Sequence, residues 1–556
     1  MNIVYLLAFI SPFAILLLLS LKNLKSSSLR EYFLVDKKVN REGFYKNSIG
    51  YSLQVGAIFL FFYWGYTYGL KAFIVPVCWV ISLFVMAKLI ESSKYNDFFD
   101  DSKRTSPTLH GFLKEKLVNG AGFWGTLTVL QVTIATIIAI GSFLLFEVDY
   151  ASKYLFQAIQ FVPSNTQEYL INTGIIFFIT ALVALGGFKV AVETDKRLTP
   201  LAYIGFSIFF AFILFFTFQK SISVALVASL LLAISGGLLL FTRSRAYEIS
   251  RISLLSYSVT FIVSTIVFIV SLFKIGSFDF VAIQNIFWPT SEFFLGFGLI
   301  GVLSLIIGNG TYLLSEVVML QRNQSFFDGV ETKAKAQVLK VTGIEMGIGW
   351  FIVLIVGTLL RAITPDGNII GFILQSPLQG LMMCLFLFSA AVFMLSTVNG
   401  LVSSLGYVTY FDIIKIGKQK NYPSIDKQLL LARITSFLIV LGLYGLYIVT
   451  KQAIGKDKLA LILTSMYGFQ CVLTGPALLI LFTKEKASKL ALALATFVAF
   501  YISYYSAFGT PLSFIPADSW YVISQGAVIL GGFFTYLIFN FAVSFFLKGQ
   551  LVRTQS

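Results

Sequence analysis

The stretch KNSIGYSLQVGAIFLFFYWGYTYGL, residues 46–70, decides the fold. It exceeds the roughly 20 residues that a helix needs to cross a bilayer, but glycines and polar residues interrupt it. The interruptions are Gly50, Ser52, Gln54, Gly56, Gly65 and Gly69. A broken membrane helix leaves backbone carbonyls that only a buried cavity or a ligand can satisfy, whereas close packing through small residues is the alternative explanation. The stretch predicts a broken membrane helix, with four of these interruptions in its first half and Gly65 and Gly69 in its second.

The composition extends this prediction to the whole chain. Of the 556 residues, 57% are hydrophobic and only 12% are charged, too few charges to cover the surface of a soluble domain. The apolar runs are continuous, which favours helices over the alternating strands of a barrel. We therefore expect an all-α polytopic membrane protein with about fifteen transmembrane helices. The expected spans lie near 3–21, 46–69, 71–90, 119–146, 167–187, 196–218, 221–242, 252–274, 290–319, 337–361, 379–408, 428–450, 457–482, 488–507 and 519–546.

The basic residues indicate how these spans are oriented. Most of the 41 Lys and Arg residues, including those of the 88–116 loop, fall on one side if the N-terminus lies outside. The net charge of +15 then follows from topology and requires no nucleic-acid partner. The first span has no basic residues before it and no small-residue cleavage site, so we expect an uncleaved anchor in the plasma or inner membrane.

Several classes of chemistry are excluded by what the chain contains. Cys78, Cys384 and Cys471 all lie in apolar segments and indicate packing residues. The single histidine, His110, is expected in a loop, which excludes histidine catalysis and metal binding inside the membrane. There is no Gly-x-x-x-x-Gly-Lys-Ser/Thr nucleotide motif. We expect neither an enzyme nor a nucleotide-driven pump.

A second interrupted helix occurs in LIIGNGTYLLSEVVMLQR, residues 305–322. Gly308-Asn309-Gly310 predicts the break, because all three residues tolerate irregular backbone. Two broken helices in corresponding positions of two halves indicate a transport site near the bilayer midplane. The expected organisation is an anchor helix in 1–30, a first five-helix repeat in 44–218, an inserted hairpin in 219–289, a second five-helix repeat in 290–482, and two C-terminal helices with a tail in 483–556.

A third motif, ALGGFKVAVETDKRLTPLAYIGF in residues 184–206, pairs a double glycine with Thr194-Asp195. Asp195 precedes the expected span 196–218, so it is a candidate for the N-cap of that helix.

These motifs together resemble the sodium:solute symporter family, whose core is a five-plus-five inverted repeat of the LeuT type. The matching residues are Tyr66 to Leu70, Gly186 to Asp195, Gln321-Arg322, Ser396-Thr397 followed by Asp412 to Lys415, and Gly475-Pro476. They occur in the family's order over roughly residues 30–490. The chain departs from the family in two additional spans, 221–242 and 252–274.

The resemblance implies a co-transported sodium ion. Ser396 and Thr397 match the family's two hydroxyl ligands, Asp195 would line the ion path, and the remaining ligands would be backbone carbonyls. Those carbonyls belong to Gly50, Leu53 and Phe393. Oxygen atoms of this kind suit a hard cation. The alternative is that both hydroxyls donate to carbonyls one turn earlier, as Ser and Thr often do in membrane helices.

The solute is expected to be an amino acid or an organic acid in preference to a sugar. Gly56 and Ala57 stand where sugar-transporting relatives have an acidic and an amide ligand, so the pocket has few partners for sugar hydroxyls. A solute carboxylate could meet the exposed amides of a broken helix. The expected polar contacts are Gln54, Asn309, Tyr312, Tyr467 and Gln470.

The function that these features favour is sodium-coupled import of a small organic solute by alternating access. One alternative is a proton-coupled permease of the same fold, which would titrate Asp195, Glu316 or Glu345. The other is a membrane sensor that has kept the scaffold and no longer moves solute.

The distribution of basic residues makes orientation testable. We expect the N-terminus outside and the C-terminus inside. Epitope tags at each terminus, probed by protease on intact cells, measure this directly. If both tags lie on the same side of the membrane, the number of spans is even and one span has been miscounted. The segment 221–274 would then be re-examined first.

Overall fold

A computed structural model gives the fold. It describes residues 2–22, 28–52, 54–91, 107–111, 123–246, 251–290, 293–311, 316–326, 331–364, 367–414, 424–454, 467–475, 489–510, 526–542 and 545.

The described residues contain helices and turns and no β-strand. The helices are α1 (Asn2–Lys22), α2 (Leu29–Leu34), α3 (Arg41–Ser52), α4 (Val55–Tyr68), α5 (Ile74–Glu91), α6 (Phe123–Ala158), α7 (Asn165–Gly186), α8 (Phe188–Lys220), α9 (Ile222–Ala246), α10 (Arg251–Lys274), α11 (Phe280–Phe287), α12 (Phe293–Thr311), α13 (Val317–Ser325), α14 (Thr332–Ile363), α15 (Ile369–Gln375), α16 (Gln379–Thr409), α17 (Ile425–Ile454), α18 (Lys489–Phe508) and α19 (Gly526–Ala542).

Within the described ranges, ten helical stretches are long and apolar enough to cross a membrane, and one of them, Val55–Glu91, contains both α4 and α5. The polytopic all-α class is therefore confirmed. The expected total of about fifteen spans stays a prediction. Most of the expected span 457–482 lies outside the described residues.

Helix α16 forms the centre of the bundle. In its most apolar window 78% of the residues are buried, against 28% in that of α10. It packs against α1, α6, α8 and α17. The inserted helices α9 and α10 pack against each other and against α8, and α9 also contacts α14. The insertion therefore lies beside α8, one of the helices that pack on α16, and beside α14.

Helices α4 and α14 approach each other through two glycines. A methyl group added at Gly65 would lie 2.4 Å from the Leu354 carbonyl oxygen. One added at Gly357 would lie 2.6 Å from the Phe62 carbonyl oxygen. Because each contact is with backbone, a side-chain rearrangement cannot relieve it. Small residues are what membrane helices use for such close packing.

The first predicted broken helix is present. Helix α3 ends at Ser52, Gln54 has an extended backbone (φ −84°, ψ 137°), and α4 begins at Val55. The two halves thus meet at the polar interruption around Gln54.

The second helix is also interrupted, but the interruption follows the predicted one. Helix α12 continues through Gly308-Asn309-Gly310 to Thr311, and α13 begins at Val317 after an extended Glu316. The prediction of a break at the Gly-Asn-Gly sequence itself was wrong. Glycine tolerates an irregular backbone without requiring one, so these residues remain in the helix.

Helix α8 begins well before its predicted start at residue 196. Gly187, with a positive φ of 67°, ends α7 and precedes Phe188, the first residue of α8. A positive φ of this kind favours glycine, which has no Cβ to clash with the backbone. The double glycine is therefore the junction between two helices.

The single histidine was predicted in a loop, but the structure places it in a short helical segment, 109–111. His110 is buried, and its Nδ1 lies 2.8 Å from Asp412 Oδ2. Thr108 donates to the other carboxylate oxygen of Asp412 at 2.6 Å. Asp412 belongs to a wide helical turn, Tyr410–Ile414, that follows α16. The histidine thus ties the segment 107–111 to the end of the central helix.

The glycine contact between α4 and α14 predicts a specific loss of stability. We expect Gly357→Ala to lower the free energy of unfolding by about 1–3 kcal/mol, the usual cost of overpacking. Thermal unfolding of the purified protein measures it. Gly442→Ala in α17 is the matched control, since nothing lies within 4 Å of its added methyl group. Equal behaviour of the two variants would contradict a tight α4–α14 contact.

Candidate ion and solute site

Three helices converge on Gly50, in the last turns of α3. A methyl group added there would lie 2.6 Å from Ser396 Oγ of α16 and 2.8 Å from Thr199 Oγ1 of α8. It would also lie 3.2 Å from the carboxyl carbon of Asp195. The absence of a side chain at Gly50 is what lets these oxygen-bearing groups surround the end of the broken helix.

Asp195 accepts two hydrogen bonds at this junction. Ser396 Oγ donates to its Oδ1 at 2.5 Å, and Asn47 Nδ2 of α3 donates to its Oδ2. The side chain is fully buried and lies in the third turn of α8. The alternative interpretation of Asp195 as a helix N-cap was therefore wrong, because α8 begins seven residues earlier at Phe188.

The neighbouring hydroxyls do not follow the back-bonding alternative. Ser396 donates to Asp195, and Thr397 Oγ1 has no hydrogen-bond partner among the described residues. Thr199 Oγ1 is likewise buried without a described partner. Thr194, by contrast, donates to the Val190 carbonyl one turn earlier. Hydroxyl groups that are buried without partners are costly, so a ligand that supplied a partner to Thr397 or Thr199 would bind favourably here.

The other candidate ligands are described in part. Phe393 is buried on α16, three residues before Ser396, with its ring centroid 5.9 Å from that of Tyr203. Leu53 lies outside the described residues. The structure thus brings Gly50, Ser396 and Asp195 into contact.

The predicted solute contacts are only partly described. Gln54 is buried between α3 and α4, and Asn309 is buried two residues before the end of α12. Tyr312 lies outside the described residues, and only the backbone of Tyr467 and Gln470 is described, in the short helix Tyr467–Cys471. No described contact joins Gln54 to Asn309.

Glu147 is a functional candidate that the sequence analysis missed. It is fully buried in α6, and its Oε1 accepts from the Gly56 amide at 3.0 Å. The Val55 amide also donates to this carboxylate. These amides lie at the start of α4, in one of the two broken helices whose amides a solute carboxylate was expected to meet. The predicted span ended at residue 146, one position before the glutamate, so Glu147 was not considered as a residue inside the membrane.

The two other acidic candidates have different surroundings. Glu316 is the N-cap of α13 and accepts from the Met319 amide at 2.9 Å. Glu345 is buried on α14 beside a cavity of about 50 Å³ that Ser207 and Thr260 also line. Glu316 thus caps the helix that follows the second break, whereas Glu345 lies next to the inserted helices.

Arg322, from the Gln-Arg motif, is a buried cation behind the junction. Its side chain is fully buried, and Nη1 donates to the Val318 carbonyl at 3.2 Å. A methyl group added at Gly400 of α16 would lie 2.3 Å from its Nη2. Its charge acts electrostatically on Asp195. The adjacent Gln321 bonds to the Phe33 carbonyl and to two serines of α16, and thereby fixes α13 on the central helix.

Comparison with known proteins identifies the fold. No family model and no curated relative matches the sequence. Among solved structures, a Na⁺-coupled sialic acid symporter in a substrate-bound outward-open state superposes with a TM-score of 0.63 at 12% identity, covering 96% of this chain and 98% of that one. Mhp1, a nucleobase-cation-symport-1 family transporter in a closed conformation with bromovinylhydantoin bound, gives 0.44 at 11% identity, with 92% and 95% covered.

The chain therefore has the fold of a solute symporter. At 12% identity the first comparison establishes the fold alone, and the second superposition is too weak to add to it.

The bond between Ser396 and Asp195 predicts an energetic coupling. We expect the effects of Ser396→Ala and Asp195→Asn on the free energy of unfolding to be non-additive by about 0.5–3 kcal/mol, as for buried residues in contact. The wild type, the two single variants and the double variant are unfolded in mixed micelles in potassium buffer, and their free energies of unfolding are compared. Ser389→Ala replaces Ser396→Ala in the control cycle, because Ser389 donates to the Ala202 carbonyl of α8, two turns away from Asp195. Additivity in both cycles would contradict the described hydrogen bond.

Proposed function

We propose that the protein is a sodium-coupled secondary transporter that imports a small organic solute by alternating access. One observation carries this proposal: the end of a broken membrane helix at Gly50 meets the buried oxygens of Asp195, Ser396 and Thr199. Irregular backbone at membrane depth is tolerated where it lines a binding site. The similarity in fold to a Na⁺-coupled symporter is in agreement with it.

The proposed ion ligands are all oxygen atoms. They are the hydroxyls of Ser396 and Thr397 together with the carbonyls of Gly50, Leu53 and Phe393. Thr397 Oγ1 is buried and has no described partner, and a sodium ion would supply one. Hydroxyl and carbonyl oxygens suit a hard monovalent cation.

Asp195 has a separate role in the proposal. Its carboxylate accepts from Ser396 and so orients one of the ligands. Its negative charge lowers the electrostatic cost of bringing a cation into the membrane interior. Since its other oxygen accepts from Asn47 of α3, the residue connects the broken helix to the ion path.

Alternating access follows from the proposed organisation. The repeats 44–218 and 290–482 would each begin with an interrupted helix, α3–α4 in the first and α12–α13 in the second. The anchor in 1–30, the hairpin in 219–289 and the C-terminal helices in 483–556 would surround this core. Rocking of one repeat against the other around a fixed site is the usual mechanism for such repeats, and it involves no covalent chemistry.

The proposed solute site lies around the two helix interruptions. Gln54 and Asn309 are buried there, and Tyr312, Tyr467 and Gln470 would complete its polar contacts. Such a small set of polar groups favours an amino acid or organic acid over a sugar, whose hydroxyls each need a partner. Of these two classes, an amino acid fits better, because the amides that an organic acid would use already donate to Glu147.

Substitutions at Thr397 test the sodium site without knowledge of the solute. Thr397→Val keeps the shape and removes the oxygen, so we expect the apparent sodium affinity to fall by about one to two orders of magnitude, or about 1.4–2.8 kcal/mol. Thr397→Ser keeps the oxygen and should have a mild effect. Sodium-dependent thermal stabilisation and binding of radioactive sodium to the purified protein measure both.

Thr358→Val is the matched control, since Thr358 is buried in α14 and donates to the Leu354 carbonyl one turn earlier. Normal sodium binding by Thr397→Val would place the ion elsewhere. Stabilisation by protons in place of sodium would support the proton-coupled alternative.

A further inference from the structure

Glu147 faces the start of α4 from the middle of α6. Its Oε1 accepts the Gly56 amide at 3.0 Å, and the Val55 amide donates to the same carboxylate. A methyl group at Gly56 would lie 2.2 Å from the Phe146 ring and 2.8 Å from Glu147 Oε1. The glycine therefore admits the carboxylate to the helix terminus, and the helix dipole favours its negative charge.

The second oxygen of this carboxylate is not used. Glu147 Oε2 is buried and has no hydrogen-bond partner among the described residues. Among the described residues, no basic side chain forms an ion pair with Glu147. The nearest lysine along α6, Lys153, lies 2.7 Å from Asp149 and pairs with it instead. A buried carboxylate oxygen without a partner is costly, so a ligand that supplied the partner would bind favourably at Oε2.

Aromatic rings continue from Glu147 along the same interface. Tyr150 and Tyr154 follow at helical spacings of three and seven residues, so they share one face of α6 with Glu147. On α4, Phe59 lies three residues after Gly56. The Phe59 ring lies 5.7 Å from that of Tyr150 and 3.5 Å from that of Tyr154, measured between centroids. The facing surfaces of α4 and α6 thus carry a carboxylate one helical turn from a cluster of aromatic rings.

A carboxylate beside aromatic rings is the arrangement that recognises an ammonium group. The carboxylate balances the charge, and the ring faces attract it through their quadrupoles. A carboxylate-bearing solute without an amine would instead meet like charge at Glu147, and the amides beside it are already occupied. The attraction of an ammonium group and the repulsion of a carboxylate both favour a cationic solute over an anionic one.

We propose that the transported solute carries a cationic amine, primary to quaternary, whose positive charge pairs with Glu147 Oε2 between α4 and α6. This inference rests on the proposed transport function and specifies its substrate class. It changes the expectation drawn from the sequence, because an organic acid without an amine is excluded from the class. An amino acid would bind through its ammonium group.

The test uses full-length protein in lipid nanodiscs with sodium chloride. Thermal stabilisation is measured with solutes in pairs that differ in charge and little in shape: choline with 3,3-dimethylbutanol, ethanolamine with propanol, and alanine with propionate. The panel is extended to the other common amino acids and small biogenic amines. We expect stabilisation by an amine and none by its uncharged or amine-free partner.

Variants then connect the response to the residue. Glu147→Gln should weaken the apparent affinity for the stabilising amine by about thirtyfold or more, as when a buried charge loses its partner. Asp149→Asn, two residues away, is the matched control and should keep the response. If Glu147→Gln does not fold, Glu147→Asp should keep the preference for amines, and Tyr150→Leu should weaken binding more than Tyr150→Phe.

Three results would overturn the inference. One is that no amine stabilises a wild-type protein that responds to sodium. Another is that Glu147→Gln binds the amine normally. The third is that Glu147→Gln loses the response to sodium measured without solute, which would make Glu147 an ion ligand. In each case sodium binding at Ser396 and Thr397 is measured in the same samples, so failure of this inference is distinguished from failure of sodium coupling.

Discussion

The close approach of α3 to α8 and α16 at Gly50 is the contact on which the rest of the site depends. A side chain at this position would meet Ser396, Thr199 and Asp195 at once. Because it is glycine, polar groups of three helices share one small volume inside an apolar bundle. Asp195 accepts from one residue on each of its two neighbouring helices. Partly satisfied polar groups are costly at low dielectric, and the Thr199 and Thr397 hydroxyls have no partner among the described residues, so the network is incomplete within the described part of the chain.

Both broken helices solve the same problem with a carboxylate. The first amides of a helix that restarts inside a membrane have no partner within the helix, and lipid cannot supply one. For α4 the acceptor is Glu147, which comes from another helix. For α13 it is Glu316, the residue before the helix. The two carboxylates differ chemically. Glu147 keeps one oxygen without a described partner, whereas Glu316 caps the helix that it precedes.

The sequence was sufficient for the fold class and for part of the site. Continuous apolar runs predicted a helical membrane protein, and the glycines and polar residues of 46–70 predicted a broken helix without singling out Gln54 as its position. Ser396 and Asp195 were both singled out, but their contact was not predictable, because 201 positions separate them along the chain. Asn47 and Thr199 had no local signal at all. Their roles arise only from the packing of α3 and α8 around Gly50.

The errors have physical causes as well. Gly308-Asn309-Gly310 permits a break without requiring one, so the helix continues until Thr311. Span ends were drawn where charged residues begin, although α6 and α8 extend beyond the apolar core of the span. Glu147 consequently fell outside the expected span 119–146, and Asp195 was placed before the span 196–218, whereas both are fully buried. Whether a charged residue near a predicted helix end is buried cannot be predicted from composition alone.

The burial of His110 has a practical consequence. It is the one histidine among 556 residues, and its imidazole contacts Asp412 at the end of the central helix and Thr136 on α6, at 2.8 and 3.2 Å. Imidazole resonances are separate from those of other side chains, and here they come from a single position. The chain thus contains its own spectroscopic reporter, readable without mutation or chemical labelling, at the place where the segment 107–111 joins α6 and α16.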